Sequence, residues 1–360
     1  MSGRWYELTL TPPVKKEQKS VQVYFPGASS GPPATGVTTA SGGTKKQWGS
    51  NLGGIYNPQA QNIEFDAIIS PYDEPVGGSS VTIEGVDLAD LTQAHQYAGY
   101  GLQLKAGMKD GLPLSADQGP PGLILQGTVV QGIGNWVGTE MSLALIIVPG
   151  VPYDYKAPGN LVLNWRAGKT LASALTTTFQ SAYPSLVPTI TISPQLVLGH
   201  DEVSFHGSLS ELAHTVKRIT QPIAVVPGYL GVNISIVGNK IIATDFTQAP
   251  ARAPVQIGFN DLVGQPSWIA PATIQITTVL RSDVAFGDQI LMPQLPAYGP
   301  GLVTTSPTLP NAYQNFQPSF SGIFNVSQVR QIGNYRAPEG QQWVTVINAI
   351  AVTSVAEPQP

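Results

Sequence analysis

Five sets of residues in this 360-residue chain carry side chains capable of chemistry. Gly27-Ala28-Ser29-Ser30-Gly31 fits G-x-S-x-G, the spacing of a nucleophile elbow, which needs a strand before it and a helix after it. Pro32-Pro33 follows at once and argues against that helix. His200, Asp201, His206 and His214 form the histidine-rich segment, and the first three could share a metal ion. They lack an HExxH or comparable ligand spacing, so polar loop residues plus one histidine on a helix face is the simpler reading. Gly168-Lys169-Thr170 matches the end of a phosphate-binding loop, but the position of that loop's first glycine holds Leu163. A helix beginning near Thr170 accounts for it better. Asp73-Glu74 and the pair Glu84 and Asp87 supply carboxylates, yet glycoside hydrolysis needs two acids facing one bond, and adjacent acids on a turn are usually solvated. Trp136, Tyr335, Trp268 and Trp343 could form a platform for a sugar or a base, although aromatic residues in β domains more often close a barrel or fill an interface. The chemistry therefore points away from an enzyme, with no catalytic residue, no cofactor and no metal assigned.

The elements that would position these groups are mainly strands. Charged residues make up 11% of the chain, against roughly 25% in an average soluble domain. Gly and Pro number 38 and 32, so turns are frequent and long charged helices are not expected. A surface so poor in charge makes a large interface with other copies plausible. The formal net charge is −4 and the lysines cluster no further than Lys15-Lys16 and Lys45-Lys46, which excludes the basic footprint of sequence-specific DNA binding. Cysteine is absent, which excludes disulfides and thiolate chemistry. MSGRWYELTL lacks the apolar core of a signal peptide, and the longest apolar run, near 143–148, is far short of the ~18 residues that span a bilayer. The expectation is a soluble protein made in the cytoplasm.

Residues 1–62 begin with the strand-like WYELTL and continue into GASSGPPATGVTTASGGTKK, too poor in large apolar side chains to build a core and expected as a mobile surface loop over 27–49. From residue 63 to 150 strand patterns dominate: Ile63, Phe65, Ala67 and Ile69 alternate with Glu64 and Asp66, and Leu102, Leu104 and Ala106 with Gln103 and Lys105. VDLADLTQAHQY suits one short helix between them. Residues 151–250 change character. Leu171, Leu175 and Phe179 share one helical face, as do Leu209, Leu212, Val216 and Ile219, with Ser208 or Ser210 as cap and Glu211 in the first turn. VNISIVG, Asn239-Lys240 and IIATDF then read as a hairpin. Residues 251–360 return to strands.

VVQGIGNW at 129–136 and VRQIGNY at 329–335 say nearly the same thing. Each follows a strand and a loop (LQLKAGM, GDQILMP) and leads into an apolar strand (MSLALIIV, WVTVINAIAV). Gly-Asn tolerates positive φ and suits a tight connection, and the aromatic after it could plug the end of a small barrel. The expectation is a duplicated β domain on either side of an α+β unit. Three such chains would present six similar domains around one axis.

IEFDAIISPYDEPVGGSSVTIEGVDLADLTQ and LQLKAGMKDGLPLSADQGPPGLILQGTVVQG resemble the first tube-like domain of phage baseplate hub proteins, found in contractile tails, tailocins and related injection systems. HDEVSFHGSLSELAHTVKRI and GVNISIVGNKIIATDF resemble their connecting domain, and FNDLVGQPSWIAPATIQITTVLRSDVAFGDQILMP and GIFNVSQVRQIGNYRAPEGQQWVTVINAIAV their second tube-like domain. The resemblance spans about 60–355 and is one of pattern; residues 1–60 match nothing in the family. It implies a mainly β (α+β) fold: two related small β-barrel domains, at 63–150 and 251–360, joined by an α+β domain at 151–250, with 1–62 part of the first. It implies a homotrimeric ring with pseudo-sixfold symmetry, a tail spike protein below, a tail tube or tube-initiator protein above, and neighbouring baseplate proteins around. DNA would pass through the lumen without specific binding, the chain would insert in no membrane, and the setting would be a virion tail assembled in bacterial cytoplasm. For the tube-facing rim the candidate interface residues are Asn135 and Trp136, Asn334 and Tyr335, and Gly287 and Asp288. The reading set against it is a β-rich carbohydrate-binding or glycan-hydrolysing virion or secreted protein; a capsid or receptor-binding shell protein is a third.

Overall fold

The computed structural model describes residues 3–13, 45–52, 55–73, 78–108, 122–150, 160–223, 226, 229–270, 272–293 and 320–352. The G-x-S-x-G pattern at 27–31, Glu74 and most of the 27–49 loop lie outside these residues. The chain opens with β1 (Arg4–Thr11), β2 (Lys46–Gly49) and the short pair β3 (Asn51–Leu52) and β4 (Ile55–Tyr56). Then come β5 (Ile63–Ile69), β6 (Ser79–Glu84), α1 (Leu88–Thr92), a 3-10 turn at Ala94–Tyr97, β7 (Gly101–Met108), β8 (Leu123–Val137) and β9 (Glu140–Pro149). The middle segment holds β10 (Leu161–Trp165), α2 (Leu171–Ala182), β11 (Val187–Thr191), β12 (Glu202–His206), α3 (Leu209–Thr220), β13 (Asn233–Val237) and β14 (Lys240–Thr244). The last is β15 (Val255–Gln256), β16 (Ser267–Ala270), β17 (Thr273–Val279), β18 (Gln289–Met292), β19 (Gly322–Asn334) and β20 (Trp343–Ala351).

Alternation makes the strands. Tyr6, Leu8 and Leu10 of β1 and Ile63, Phe65 and Ala67 of β5 are buried, while Glu64 is exposed. In the middle segment Leu171, Leu175 and Phe179 bury one face of α2, and Leu209, Leu212 and Val216 bury one face of α3. Ser208 caps α3 by accepting from the Glu211 amide at 3.2 Å, and Glu211 returns a carboxylate to the Gly207 amide at 2.8 Å. This segment is tied to the end of β5: the Tyr72 amide donates to the Ile234 carbonyl at 2.8 Å, Ser235 donates to the Ser70 carbonyl at 2.8 Å, and Lys217 pairs with Asp73 at 2.6 Å.

Thirteen strands form one sheet, in the order β16-β17-β20-β19-β5-β6-β9-β8-β7-β1-β2, with β18 and β15 attached beside β19. Among the described residues the two β-barrels expected from the sequence are therefore absent. The ends β2 and β16 do not pair with each other, and the sheet stays open. The cause lies in β19. Its first part pairs with β18 and its second part, from Val329 to Asn334, pairs with β5. The edge that a second closed unit would need is occupied by the first unit. Nor is all of 27–49 a surface loop: residues 46–49 are β2, paired with β1, and Trp48 is buried. Removing the whole stretch would strip a strand from the sheet.

The duplication itself is present. β7-β8-β9-β6-β5 and β18-β19-β20-β17-β16 are five strands in the same chain order and the same spatial order. Their registers correspond. Gly101 faces Thr128 as Gln289 faces Asn325, and Val81 faces Leu145 as Ile276 faces Ile347. Gly99 and Gly287 both adopt φ 85°. Gly99 donates to the Val129 carbonyl at 2.7 Å, and Gly287 to the Val326 carbonyl at 3.0 Å. A register shift follows each valine, between Val129 and Gln131 and between Val326 and Gln328. By this correspondence Gly134 matches Gln331, not Gly333. The similar letters sit two positions out of structural register.

Candidate functional site

Neither Gly-Asn dipeptide makes a turn. Gly134-Asn135 lies within β8, and the hairpin turns at Gly138-Thr139, with Gly138 at φ 61°. Gly333-Asn334 ends β19, opposite Phe65 and Glu64 of β5. The glycines serve close approach instead. A Cβ at Gly132 would lie 2.2 Å from the Ala94 carbonyl oxygen, and one at Gly134 would lie 2.6 Å from that of Leu91. These two positions let α1 and the 3-10 turn rest on the face of β8. Asp90 of α1 then accepts from Lys46 of β2 and Tyr97, each at 2.6 Å, which fixes the helix.

Beyond Val129, β8 extends as a strand bonded to β9 on one side only, among the described residues. This distal half carries exposed apolar groups: Ile133 (38% exposed), Trp136 (63%) and Val137 (75%). One end of the sheet is β16, bonded among the described residues to β17 alone, with Trp268 and Ile269 exposed and all four of its residues accessible. Two apolar sheet edges thus stand open among the described residues, one at the end strand β16 and one inside the ladder where β8 runs past β7. Such edges invite pairing, and many proteins guard them with charge, yet neither VQGIGNWV nor SWIA contains a charged residue.

The six candidate interface residues separate. Asn135 and Trp136 sit on the open half of β8, where the Trp136 indole donates to the Gly138 carbonyl at 2.8 Å. With no barrel end to plug, Trp136 projects. Asn334 and Tyr335 sit at the join of β19 with β5, and Tyr335 packs edge-on against Tyr6 at 5.1 Å. Gly287 and Asp288 form the turn before β18; Asp288 accepts from the Ala285 amide at 3.0 Å and from Arg252 at 3.1 Å. Burial raises its pKa above the ordinary carboxylate value, against the pull of those donors. Trp343 is buried with Phe65 at 5.3 Å, and Trp268 stacks on Phe320 at 5.9 Å, so the four aromatics form no common platform. Sequence reasoning passed over Ile133, Ser267 and Ile269. The signal was a chargeless strand at each of two chain positions, but its meaning depends on which strand lacks a neighbour.

Several of the other polar groups singled out in the sequence serve local structure. Asp201 accepts from Arg166 at 2.6 Å and from the Ala167 amide at 2.8 Å, and these donors hold its pKa below the usual value. Among the described residues no three ligating side chains converge on a point. Thr170 is the N-cap of α2, Asp87 caps α1, and Glu84 accepts from Asn62 at 3.0 Å. A cleft lined by Ile68, Tyr72, Ser79, Val148, Ser210 and Ile236 contains hydroxyls and aliphatic groups and, among the described residues, no carboxylate, imidazole or amine.

His206 is buried beside the Ser204 hydroxyl at 2.9 Å. Burial lowers its pKa below 6.5, with Glu211 and Glu202 opposing more weakly. The unfolded chain therefore takes up this proton first as pH falls. Stability contributed by the neutral ring is full above about 6.5 and is lost as pH drops toward the folded value. His206→Gln should flatten the unfolding midpoint between pH 7 and pH 5 relative to wild type; parallel curves would show that His206 does not carry the dependence.

No protein-family model matches the chain, and no curated protein sequence is similar to it. Solved structures are similar in chain course. A 43 kDa tail protein of prophage MuSo2 from Shewanella oneidensis matches at TM-score 0.44 and 7% identity, over 83% of this chain and 94% of that one. An Escherichia coli type VI secretion component, described as similar to bacteriophage T4 tail proteins, matches at 0.44 and 8%, over 81% and 73%. A tail protein from Neisseria meningitidis matches at 0.40 and 9%, over 83% and 94%. At these values the likeness assigns no role to any residue.

Proposed function

We propose that this chain is a structural baseplate hub of a phage-type tail, a homotrimer that adapts a sixfold tail tube to a threefold central spike. The observation that carries the reading is the pair of five-stranded units in one chain, matched in order and register. Three copies supply six related units, so one molecule can meet a sixfold partner through all six and a threefold partner through features present once per chain. The division into units at 63–150 and 251–360 around a connector at 151–250 belongs to the same proposal. The partners are a tube or tube-initiator protein on one side, a spike protein on the other and neighbouring baseplate proteins outside. DNA passes through the lumen ungripped, as a net charge of −4 without basic clusters suits. Asn135 and Trp136 on the open strand are the strongest of the candidate contacts, because they are the most exposed.

The work is positional. Asp73 and Asp201 are engaged in ion pairs, Asp87 in a helix cap and His206 in a hydrogen bond with Ser204. The test is electron microscopy of the purified chain with symmetry analysis of class averages, alone and mixed with candidate glycans. A threefold ring supports the hub. A monomer that binds or cleaves a glycan overturns it in favour of a carbohydrate-directed protein.

A further inference from the structure

We propose that the chain self-associates head to tail by adding β16 of one copy to the open distal half of β8 in the next, with Ser267 opposite Asn135 and Trp268 opposite Gly134. This deepens the self-association in the proposed function and rests on it, but not on the tail assignment.

The argument is one of internal equivalence. Each five-stranded unit has the same long fourth strand, β8 or β19, whose first part pairs with the third strand and whose second part passes beyond it. In the second unit that passing edge is filled: Val329 to Asn334 of β19 pair with β5, the outermost strand of the first unit. In the first unit the matching edge, 132–137 of β8, has no strand against it among the described residues. The strand equivalent to β5 is β16, the outermost strand of the second unit, and its outer edge is likewise unpaired among the described residues. One molecule thus contains one made junction and the two halves of another. Only a second copy can join those halves repeatedly in the same sense, which makes the contact heterologous and able to close into a ring.

The register follows from the correspondences. Gln131 and Gln328 each stand just past the shift in their strand, opposite Ile146 and Asn348. Those residues face Ser80 and Gln275, which in turn face Asp66 and Ser267. Ser267 therefore takes the place of Asp66. Asp66 pairs with Ile332, whose counterpart in β8 is Asn135; Ala67 pairs with Gln331, whose counterpart is Gly134. The made junction includes an Arg330–Asp66 ion pair at 2.6 Å. At the open edges the corresponding residues are Ile133 and Ser267, and Ile269 lies two residues further along β16. Exposed apolar side chains there would be covered by the contact, and no charge opposes it.

The natural chain has no cysteine, so Asn135→Cys with Ser267→Cys in the full-length protein reports the contact directly. Both positions are exposed, and unchanged thermal unfolding under reducing conditions verifies the fold. Mild oxidation should give interchain disulfides between residues 135 and 267, mapped by mass spectrometry, and a covalent ladder ending at a closed species. Val137→Cys with Ser267→Cys, two residues out of register, should cross-link about tenfold less. Ile269→Lys should raise the concentration at which the oligomer dissociates by about tenfold or more. Light scattering of the natural chain separates the outcomes. An oligomer in which the 135–267 disulfide is absent, intrachain or no better than the out-of-register pair overturns this inference and leaves the hub reading standing. A chain that stays monomeric at all concentrations and forms no such disulfide overturns both.

Discussion

Arg281→Met lowers the unfolding free energy by about 3–5 kcal/mol, the cost expected when one partner of a buried charge network is removed. The Arg281 guanidinium binds Asp283 through two parallel bonds of 2.6 Å and reaches Asp261 at 3.4 Å, with all three side chains buried. Its amide donates to Thr345 of β20 at 3.0 Å, and its carbonyl accepts from Gln331 of β19 at 3.1 Å. Its guanidinium also donates to the Gln256 carbonyl of β15 at 3.4 Å, so one residue gathers β15, β19, β20 and the loop before β18. It also lies where two apolar clusters meet: Leu280 packs into the core of the first unit and Val284 into that of the second. The variant strands two carboxylates without their cation, and a stability of roughly 5–15 kcal/mol absorbs such a loss badly. Urea denaturation measures it. Adding Asp283→Leu to Arg281→Met should recover part of the loss, since the penalty comes from the abandoned charge. A single-variant loss below about 1 kcal/mol, with no recovery in the double, would remove the network from the account of how the halves are held.

Local pattern announced the local elements. α2 buries the residues its spacing named, α3 buries Leu209, Leu212 and Val216 and half-buries Ile219, Ser208 caps α3, and β13 and β14 form the hairpin, turning one position earlier than the sequence suggested, at Gly238-Asn239, because each depends on neighbours within a few positions. β5 was legible as half-buried for the same reason. What alternation cannot contain is the identity of the strand alongside. Ile63, Phe65 and Ala67 would face a core equally well in a closed barrel or in a sheet shared with β19, and that choice decides between two barrels and one open sheet. The repeat was legible as an order of elements, yet its letters were misleading: the structural match follows the bulge and the Gly99 and Gly287 turns, where the sequences have little in common. The open edge of β8 was half legible. Trp136 stood out as an aromatic residue, but an open edge is defined by a missing neighbour, which no stretch of sequence displays. Arg281 and Asp283, two apart in a turn, look like ordinary surface charge until Asp261 is folded against them.

Gly333→Ala is expected to cost about 1–3 kcal/mol, and Gly333→Val more, although Gly333 lies in a regular strand without positive φ. A Cβ there would sit 2.1 Å from Phe65 Cζ and 2.2 Å from Cε1. The Phe65 ring lies across Gly333 at the β5–β19 pairing, and it cannot swing away freely. Trp343 meets it edge-on at 5.3 Å, Tyr335 packs on Trp343 at 6.4 Å, and Arg4 covers the indole at 5.7 Å. Arg4 also donates to the Asn334 carbonyl at 3.0 Å and to that of Glu339 at 2.7 Å. Displacing Phe65 therefore disturbs β1, β5, β19 and β20 together, at the seam between the two units. A double-mutant cycle isolates the contact. Phe65→Leu alone loses packing, but on that background Gly333→Ala should cost much less than in the natural chain, because the obstructing ring edge is gone. Additivity within about 0.5 kcal/mol would show that the glycine is not there for the ring. The expected coupling gives the second copy of the Gly-Asn-aromatic phrase its physical meaning. Its glycine makes room for an aromatic side chain of the neighbouring unit, whereas Gly134 in the first copy makes room for the backbone of α1, and neither turns the chain.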